Sequence, residues 1–265
     1  KKLNMDLLSN REVIEISGND SISFLQNIVT NDVTEINLKK IIHSFLLTSK
    51  GKILFDFYLH KFEERILIDI DRNSSEELLK YLSFYKLRSD VRLDRLNNLF
   101  VYWTQQNISH PKDPRNPDNG TRFVNDKLMG DNINATEDDY DDNRIFNSVV
   151  ELGKDYFSDT IFPHELPYYT KSISFKKGCF IGQEIISRVF HQKALSKKTF
   201  TRLPFKGKPQ PPGNPLMDSH KQIGFYGTQS NNYCLVYIDR ALSKPDMYLI
   251  DGELKTKWSI IELSI

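Results

Sequence analysis

Lys177-Gly178-Cys179-Phe180-Ile181-Gly182-Gln183-Glu184 runs directly into Ile185, Ile186, Val189 and Phe190, apolar residues at helical spacing. That order describes a glycine-hinged turn delivering the chain into a helix, with Cys179 held just before the helix N-terminus. Gly178 and Gly182 can take a positive φ or let another backbone or a ligand approach closely. A cysteine there, beside Lys176 and Lys177, has its thiolate favoured by the helix N-terminus and by the ammonium groups. The alternative is a small buried hydrophobe. Spacing alone favours that alternative, because unpaired cysteines are so often buried.

Outward toward the N-terminus, Val13, Ile14 and Ile16 alternate with polar residues as a strand over 11–17. Asn19-Asp20-Ser21 offers N-cap oxygens, and Ile22, Leu25 and Val29 recur at helical spacing. Strands are expected over 44–48, 53–59 and 66–70, the first two joined by Ser49-Lys50-Gly51-Lys52. Ser74 with Glu77 is a capping-box pattern opening an amphipathic helix, and residues 91–94 and 99–104 return to strand. This order is that of a split βαβ unit, with helices covering one face of an antiparallel sheet: an α+β arrangement. Residues 105–120, with Pro111, Pro114 and Pro117, read as loop, and the acid-rich start at Thr136-Glu137-Asp138-Asp139 predicts a helix running to about Phe146.

Beyond Lys198 the texture changes. Short β-type runs at 199–203, 223–226, 233–238, 247–250 and 254–258 are separated by Gly, Pro and Asn signals, which suggests a small antiparallel barrel or sandwich. The boundary falls near Leu195, giving domains 1–195 and 196–265. The 265 residues are 39% hydrophobic and 27% charged, an ordinary globular balance that excludes disorder as the dominant state. Lys+Arg number 36 against 35 Asp+Glu, a formal charge of +1, so nothing global selects a nucleic acid or an anionic membrane as partner. Two cysteines without a CxxC exclude a disulfide scaffold and a tetrathiolate metal site, and fit a reducing compartment. The six histidines show no tight metal spacing, so no stably bound metal is expected. No apolar run approaches the roughly 18 residues of a membrane helix, and Lys1-Lys2-Leu3-Asn4 has no signal-peptide h-region.

The 177–184 octapeptide resembles the signature of the YgfZ-type folate-binding proteins, relatives of the glycine-cleavage T-protein (aminomethyltransferase). Other segments agree in order. Ser17-Gly18-Asn19-Asp20 with Thr30-Asn31-Asp32 resembles the family's opening strand and helix. Lys50-Gly51-Lys52-Ile53 with Asp56 resembles its hairpin, and Tyr85-Lys86-Leu87-Arg88-Ser89-Asp90 the end of its first subdomain. Asp113-Pro114-Arg115, Gly120-Thr121-Arg122, Arg144 and Phe162-Pro163-His164-Glu165 resemble its central part. The resemblance covers nearly the whole chain and is weakest in the C-terminal barrel. It implies T-protein-like folate-binding subdomains around a central cavity, closed by a C-terminal antiparallel β-barrel. It also implies a protein that binds tetrahydrofolate or a derivative and assists assembly or repair of [4Fe–4S] clusters in client enzymes. Its partners would be iron-sulfur carriers or clients, met transiently. Its location would be cytoplasmic in bacteria and the mitochondrial matrix in eukaryotes.

The alternative activity is folate-dependent aminomethyl transfer. The true aminomethyltransferase carries adjacent aspartates where this chain has Phe55-Asp56, and a pterin-holding glutamate where Phe146 falls. A phenyl ring accepts no hydrogen bond from pterin nitrogens, and the transfer needs positioned acid–base groups, so the departures argue against that enzyme. The resemblance assigns folate to Asp56, Arg122 and Arg144. Asp56 either faces the cavity or sits solvated on its strand. The arginines either hold glutamyl carboxylates or pair with the acidic helix start over 137–142. Gln183 and Glu184 either cap the following helix or touch a ligand, capping being the simpler role. Cys179 is the expected functional thiol. Cys234, in an apolar run, is expected in the barrel core. Since an iron-sulfur cluster usually takes four thiolates, any cluster contact must be transient, shared or indirect.

Overall fold

β-Branched and aromatic residues dominate the runs that pair into sheets, and Gly, Asn and Pro sit between them, so turn chemistry sets where each strand stops. The computed structural model describes residues 4–128, 133–134, 137–193, 196–218 and 220–256. Its first strands are β1 (Met5–Leu7) and β2 (Arg11–Ser17), followed by helices α1 (Ser21–Ile28) and α2 (Ile36–Lys39). The hairpin strands β3 (Ile41–Leu47), β4 (Ile53–Phe62) and β5 (Arg65–Asp71) lead into α3 (Arg72–Lys86). Next come β6 (Arg92–Arg95), β7 (Phe100–Thr104), β8 (Thr121–Asn125), β9 (Ile133–Asn134) and α4 (Asp138–Phe146). After α5 (Gln183–His191) the chain is β: β10 (Lys198–Lys206), β11 (Pro215–Asp218), β12 (Lys221–Gln229), β13 (Tyr233–Asp239), β14 (Met247–Ile250) and β15 (Glu253–Thr256).

Two sheets and one barrel result. The larger sheet has the order β3-β4-β5-β2-β6, with every neighbouring pair antiparallel. Helices α1 and α3 cover one face of it: Phe24, Leu25, Ile28, Leu78 and Leu82 pack on Ile14, Ile16, Phe55, Phe57 and Ile68. This is the α+β layer expected from the element order. The second sheet, β8-β7-β1-β9, packs on the opposite face through Leu8, Val13, Leu67, Val101 and Trp103. The C-terminal strands close into a barrel of order β10-β13-β12-β11-β15-β14, so closure, not a sandwich, removes the sheet edges. A third apolar cluster joins body to barrel, where Phe45, Leu47, Ile145 and Tyr156 meet Phe200, Leu235 and Tyr237.

Several local expectations shift. In α1 the buried face is Ser21, Phe24, Leu25 and Ile28, whereas Ile22 points outward and Val29 leaves the helix in extended conformation to bridge Leu46. Ser74 does not open α3: the helix starts at Arg72, and the Ser74 hydroxyl donates back to Asp71 at 3.3 Å. Strands β1, β8 and β11 carry little sequence signal, being short or set in polar stretches. The expected boundary at Leu195, the helix start at Thr136 and the strand end at Trp258 lie outside the described residues. Among the described residues no helix is long and apolar enough to cross a membrane.

Candidate functional site

The octapeptide makes a loop ahead of α5, and two separate anchors fix it. The first is glycine against glycine. Gly182 has φ +79°, and a Cβ built there would lie 2.5 Å from the Thr48 carbonyl oxygen, 3.0 Å from the Leu47 Cβ and 3.1 Å from the Gly51 Cα. Gly51 in turn has φ +79° and leaves its own Cβ direction to Ile185 at 3.3 Å. The β3–β4 turn, closed by the Gly51 N–H donating to the Thr48 carbonyl at 2.9 Å, therefore receives the start of α5 at backbone contact. Only residues without a side chain allow both the positive φ and this approach.

The second anchor is Lys177. Its ammonium donates to the backbone carbonyls of Val29 (2.6 Å) and Asn31 (3.0 Å), just past the end of α1. Burial pushes this ammonium down to about 8, against the opposing pull of Asp32. Lys177 is thus spent on tying the loop to the body and does not serve as the neighbour of the thiol that its sequence position suggests. Phe180 is buried beneath the loop, and Ile186 is the fully buried residue of α5. The Gln183 side chain accepts from the Phe180 N–H at 3.1 Å, tying the turn ahead of the helix. Glu184 is on the surface, paired with Arg188 at 2.9 Å.

Cys179 lies on this pinned loop and is exposed, whereas Cys234 is fully buried in the barrel on β13. The Cys234 thiol donates to the Leu235 carbonyl at 3.2 Å, and burial raises its pKa far above the ordinary range. Gly178, beside Cys179, has open space where a Cβ would go. Phe175 and Phe190 stack face to face, centroids 3.8 Å apart, bracketing the loop. The small-hydrophobe reading of Cys179 therefore fails on exposure, and the described residues hold no group of three or more His, Cys, Asp or Glu side chains able to bind a metal.

The expected folate residues sit elsewhere, in a buried centre between the two sheets. In the sheet register Tyr58 lies opposite His43 on one side and Asp69 on the other, and Asp56 opposite Phe45, so these side chains share the face turned away from α1 and α3. Asp69 accepts from Arg11 Nε at 2.7 Å and from Arg122 Nε and an Arg122 terminal nitrogen at 2.7 and 3.0 Å. Burial opposes the Asp69 charge, yet the Arg11 and Arg122 guanidinium groups overcome it and hold the carboxyl well below the usual range. The Arg122 guanidinium also lies over the Tyr58 ring, 4.2 Å from its centroid. Asp113 and Arg115 pair at 2.9 Å, with Asn119 and the Tyr58 hydroxyl donating to the same carboxylate. Arg144, on α4, pairs with Asp155 at 2.8 Å and with Asp141, and donates to the Thr228 hydroxyl of the barrel at 2.7 Å.

Arg122 and Arg144 are fully buried and their donors are aimed at the protein's own carboxylates. The pairing of Arg144 with Asp141 is the expected one with the acidic helix. The partner of Arg122, Asp69, is a residue the sequence reading did not single out. Asp56 is 3% exposed, so it is not solvated on an outer face, and its Oδ2 accepts from the Tyr156 hydroxyl at 2.7 Å and the Leu152 N–H at 3.3 Å. Burial pushes its carboxyl up, against Arg11 and Arg115. His43 Nδ1 meets the Ser172 hydroxyl at 2.7 Å, while Nε2 finds no protein partner among the described residues. Burial, reinforced by Arg115, keeps that imidazole neutral. As arranged, Arg122 and Arg144 do not fit a glutamyl tail, because both are fully buried and their guanidinium nitrogens are engaged by the protein's own acceptors. Phe146 does not face this centre either; half exposed, it packs on Tyr233 and under Arg202 at the body–barrel seam.

Comparison with known proteins places this geometry. No family model matches the chain. Among curated proteins it is similar to "Iron-sulfur cluster assembly factor IBA57 homolog, mitochondrial" of Mycosarcoma maydis, 27% identical over 217 residues, 71% of this chain and 54% of that protein. Proteins of the same description match from Pyricularia oryzae (26%, 72% of this chain and 55% of that one) and Aspergillus oryzae (24%, 85% and 63%). The chain thus spans about half the length of the first two of these relatives. Among solved structures the glycine cleavage system aminomethyltransferase T from Bartonella henselae superposes with a TM-score of 0.74, covering 95% of this chain and 83% of that one at 15% identity. The resemblance read at residues 177–184 holds: the relatives are iron-sulfur cluster assembly factor homologues, and the fold is that of the aminomethyltransferase T.

Proposed function

We propose that this protein acts in iron-sulfur cluster assembly, as its relatives are named to do, and that Cys179 is the thiol through which it acts. The observation that carries the proposal is the contrast between the two cysteines. One is exposed on a loop pinned at both ends; the other is sealed in the barrel. A thiolate is a soft ligand for iron, and a rigid loop holds it in one place for a partner to meet. One thiol supplies a quarter of the usual ligand set of a cluster, so the remaining ligands come from an iron-sulfur carrier or a client protein, and the contact is transient. The side chain is equally placed to exchange with a partner's disulfide. The relatives are named mitochondrial, and the mitochondrial matrix is the location we propose for a eukaryotic source.

Tetrahydrofolate rests on the resemblance alone and enters no step of this proposal, because the two arginines expected to hold its tail are paired within the fold. Aminomethyl transfer is likewise not proposed. A fold shared at 15% identity carries no activity, and Phe55 and Phe146 stand where the resemblance places that enzyme's carboxylates. The test is complementation of a strain lacking its own factor, scored by the activity of a [4Fe–4S] enzyme. Cys179→Ser should abolish support with folding intact, and Cys234→Ser should retain it at some cost in stability. Full complementation by Cys179→Ser overturns the proposal.

A further inference from the structure

Away from Cys179, a cleft of about 350 Å³ opens where the 162–169 segment meets the barrel. Its floor is apolar, formed by the buried Leu166 and Phe200. Its walls carry the hydroxyls of Ser148, Thr201 and Ser243, the imidazole of His164 and the guanidinium of Arg240. Two of these groups are left over by the fold. His164 Nδ1 is buried without a hydrogen-bond partner among the described residues. Its ring is held by stacking on Phe162, centroids 5.3 Å apart and 19° from parallel. Arg240 uses Nε on the Ser196 carbonyl at 2.9 Å and forms no ion pair among the described residues, which leaves its two terminal nitrogens as donors.

Glu165, the acid that acts on the His164 imidazole, is already engaged. Glu165 accepts from the Phe162 N–H at 2.8 Å, the Tyr237 hydroxyl at 2.8 Å and the Ser196 hydroxyl at 3.3 Å. It is held on the barrel side and is only 7% exposed. An arginine with a free fork and three hydroxyls over an apolar floor are a donor set, and its complement is an oxyanion, held beside the imidazole of His164 that lines the same cleft. Pairing over such a floor is strengthened because water competes poorly there.

We propose that this cleft binds a small molecule through a phosphoryl or carboxylate group, with Arg240 as its anchor and the His164 imidazole beside it. The site is separate from the thiol loop, and its failure would leave the cluster-assembly reading untouched. Without ligand the imidazole is neutral at pH 7: burial lowers its pKa, Glu165 opposes and Arg240 adds to the lowering. An anion reverses the effect of Arg240, so binding and protonation of His164 support each other, and affinity should rise as the pH falls.

The test uses the full chain and the His164 imidazole signal in NMR, titrated with sodium sulfate, with sodium acetate, and with sodium chloride at matched ionic strength. A saturable shift with sulfate assigns a phosphoryl group and one with acetate a carboxylate; either supports the site. Arg240→Gln should weaken the response tenfold or more. In His164→Gln the gain in Tm on adding the same salt should lose its dependence on pH between 5.5 and 7.5. Equal responses to all three salts overturn the proposal, as does unchanged affinity in Arg240→Gln. Should Arg240→Gln fail to fold, Arg240→Lys, which keeps the charge and loses the fork, replaces it with the same expected loss.

Discussion

The two glycines of the octapeptide should answer differently to the same substitution. At Gly182 an alanine meets two penalties. Holding an L-residue in the left-handed region costs about 1–2 kcal/mol. A Cβ 2.5 Å from the Thr48 carbonyl oxygen is an overlap with backbone, which cannot swing away, and overpacking of this kind costs about 1–3 kcal/mol. Restricting the unfolded chain returns about 0.4–1 kcal/mol. The net loss is therefore roughly 1–4.6 kcal/mol, and at about 2–4 °C per kcal/mol for a chain of this size Tm should fall by roughly 2–18 °C. Gly178 lies outside the positive-φ set and has open space where its Cβ would go. There the same substitution should leave Tm unchanged or slightly raised. The assay is thermal unfolding followed by circular dichroism for both variants, with the rate of Cys179 labelling by a thiol reagent as a second readout. Gly182→Ala should also speed labelling, because the loop loses its seat on the β3–β4 turn. Equal losses in the two variants, or a Tm for Gly182→Ala within 1 °C of the parent, would refute the idea that this glycine pair seats the thiol loop.

In the buried centre, Asp69→Asn leaves Arg11 and Arg122 facing a neutral amide and should cost about 3–5 kcal/mol, measured by urea unfolding at pH 7. The depressed carboxyl of Asp69 contributes stability that is present above its unfolded pKa, near 3.8, and is lost as pH falls through the still lower folded value, so the parent's acid limb should flatten in this variant. Asp56 has the opposite sign. Its raised pKa means that stability is lost as pH rises from the unfolded value through the folded one, so Asp56→Asn, which keeps an acceptor for Tyr156 and Leu152, should be neutral or stabilising at pH 7. Calorimetry with tetrahydrofolate should show no saturable heat that depends on Arg122 or Arg144; heat abolished by Arg144→Lys with the fold retained would restore the tail-binding role. Thiol reagents should label native Cys179 well before Cys234, which is reached only on unfolding.

Residues 177–190 alone determined that a glycine-hinged turn enters a helix, since the apolar spacing from Ile185 to Phe190 and the two glycines are local features. The apolar residues set among polar ones at 11–17 and the apolar run at 53–59 behind the 49–52 turn likewise determined strands, because such patterning is written residue by residue. Sequence could not decide which glycine is strained. That depends on Gly51 and Thr48, more than 130 positions away, arriving against Gly182. Nor could it decide the fate of the charged residues. Sequence leaves Arg122 and Arg144 between a ligand and the acidic helix until folding brings Asp69 and Asp155 to them, and Lys177 is a sequence neighbour of Cys179 whose ammonium the end of α1 claims with two carbonyls. Exposure of Cys179 is decided in the same way, since a thiol carries no local signal of which side of a loop is covered. Backbone propensity and patterning act over a few residues and are legible in order along the chain. Pairing of buried charges and access to a thiol arise from contacts between distant segments, and the tertiary structure alone decides them.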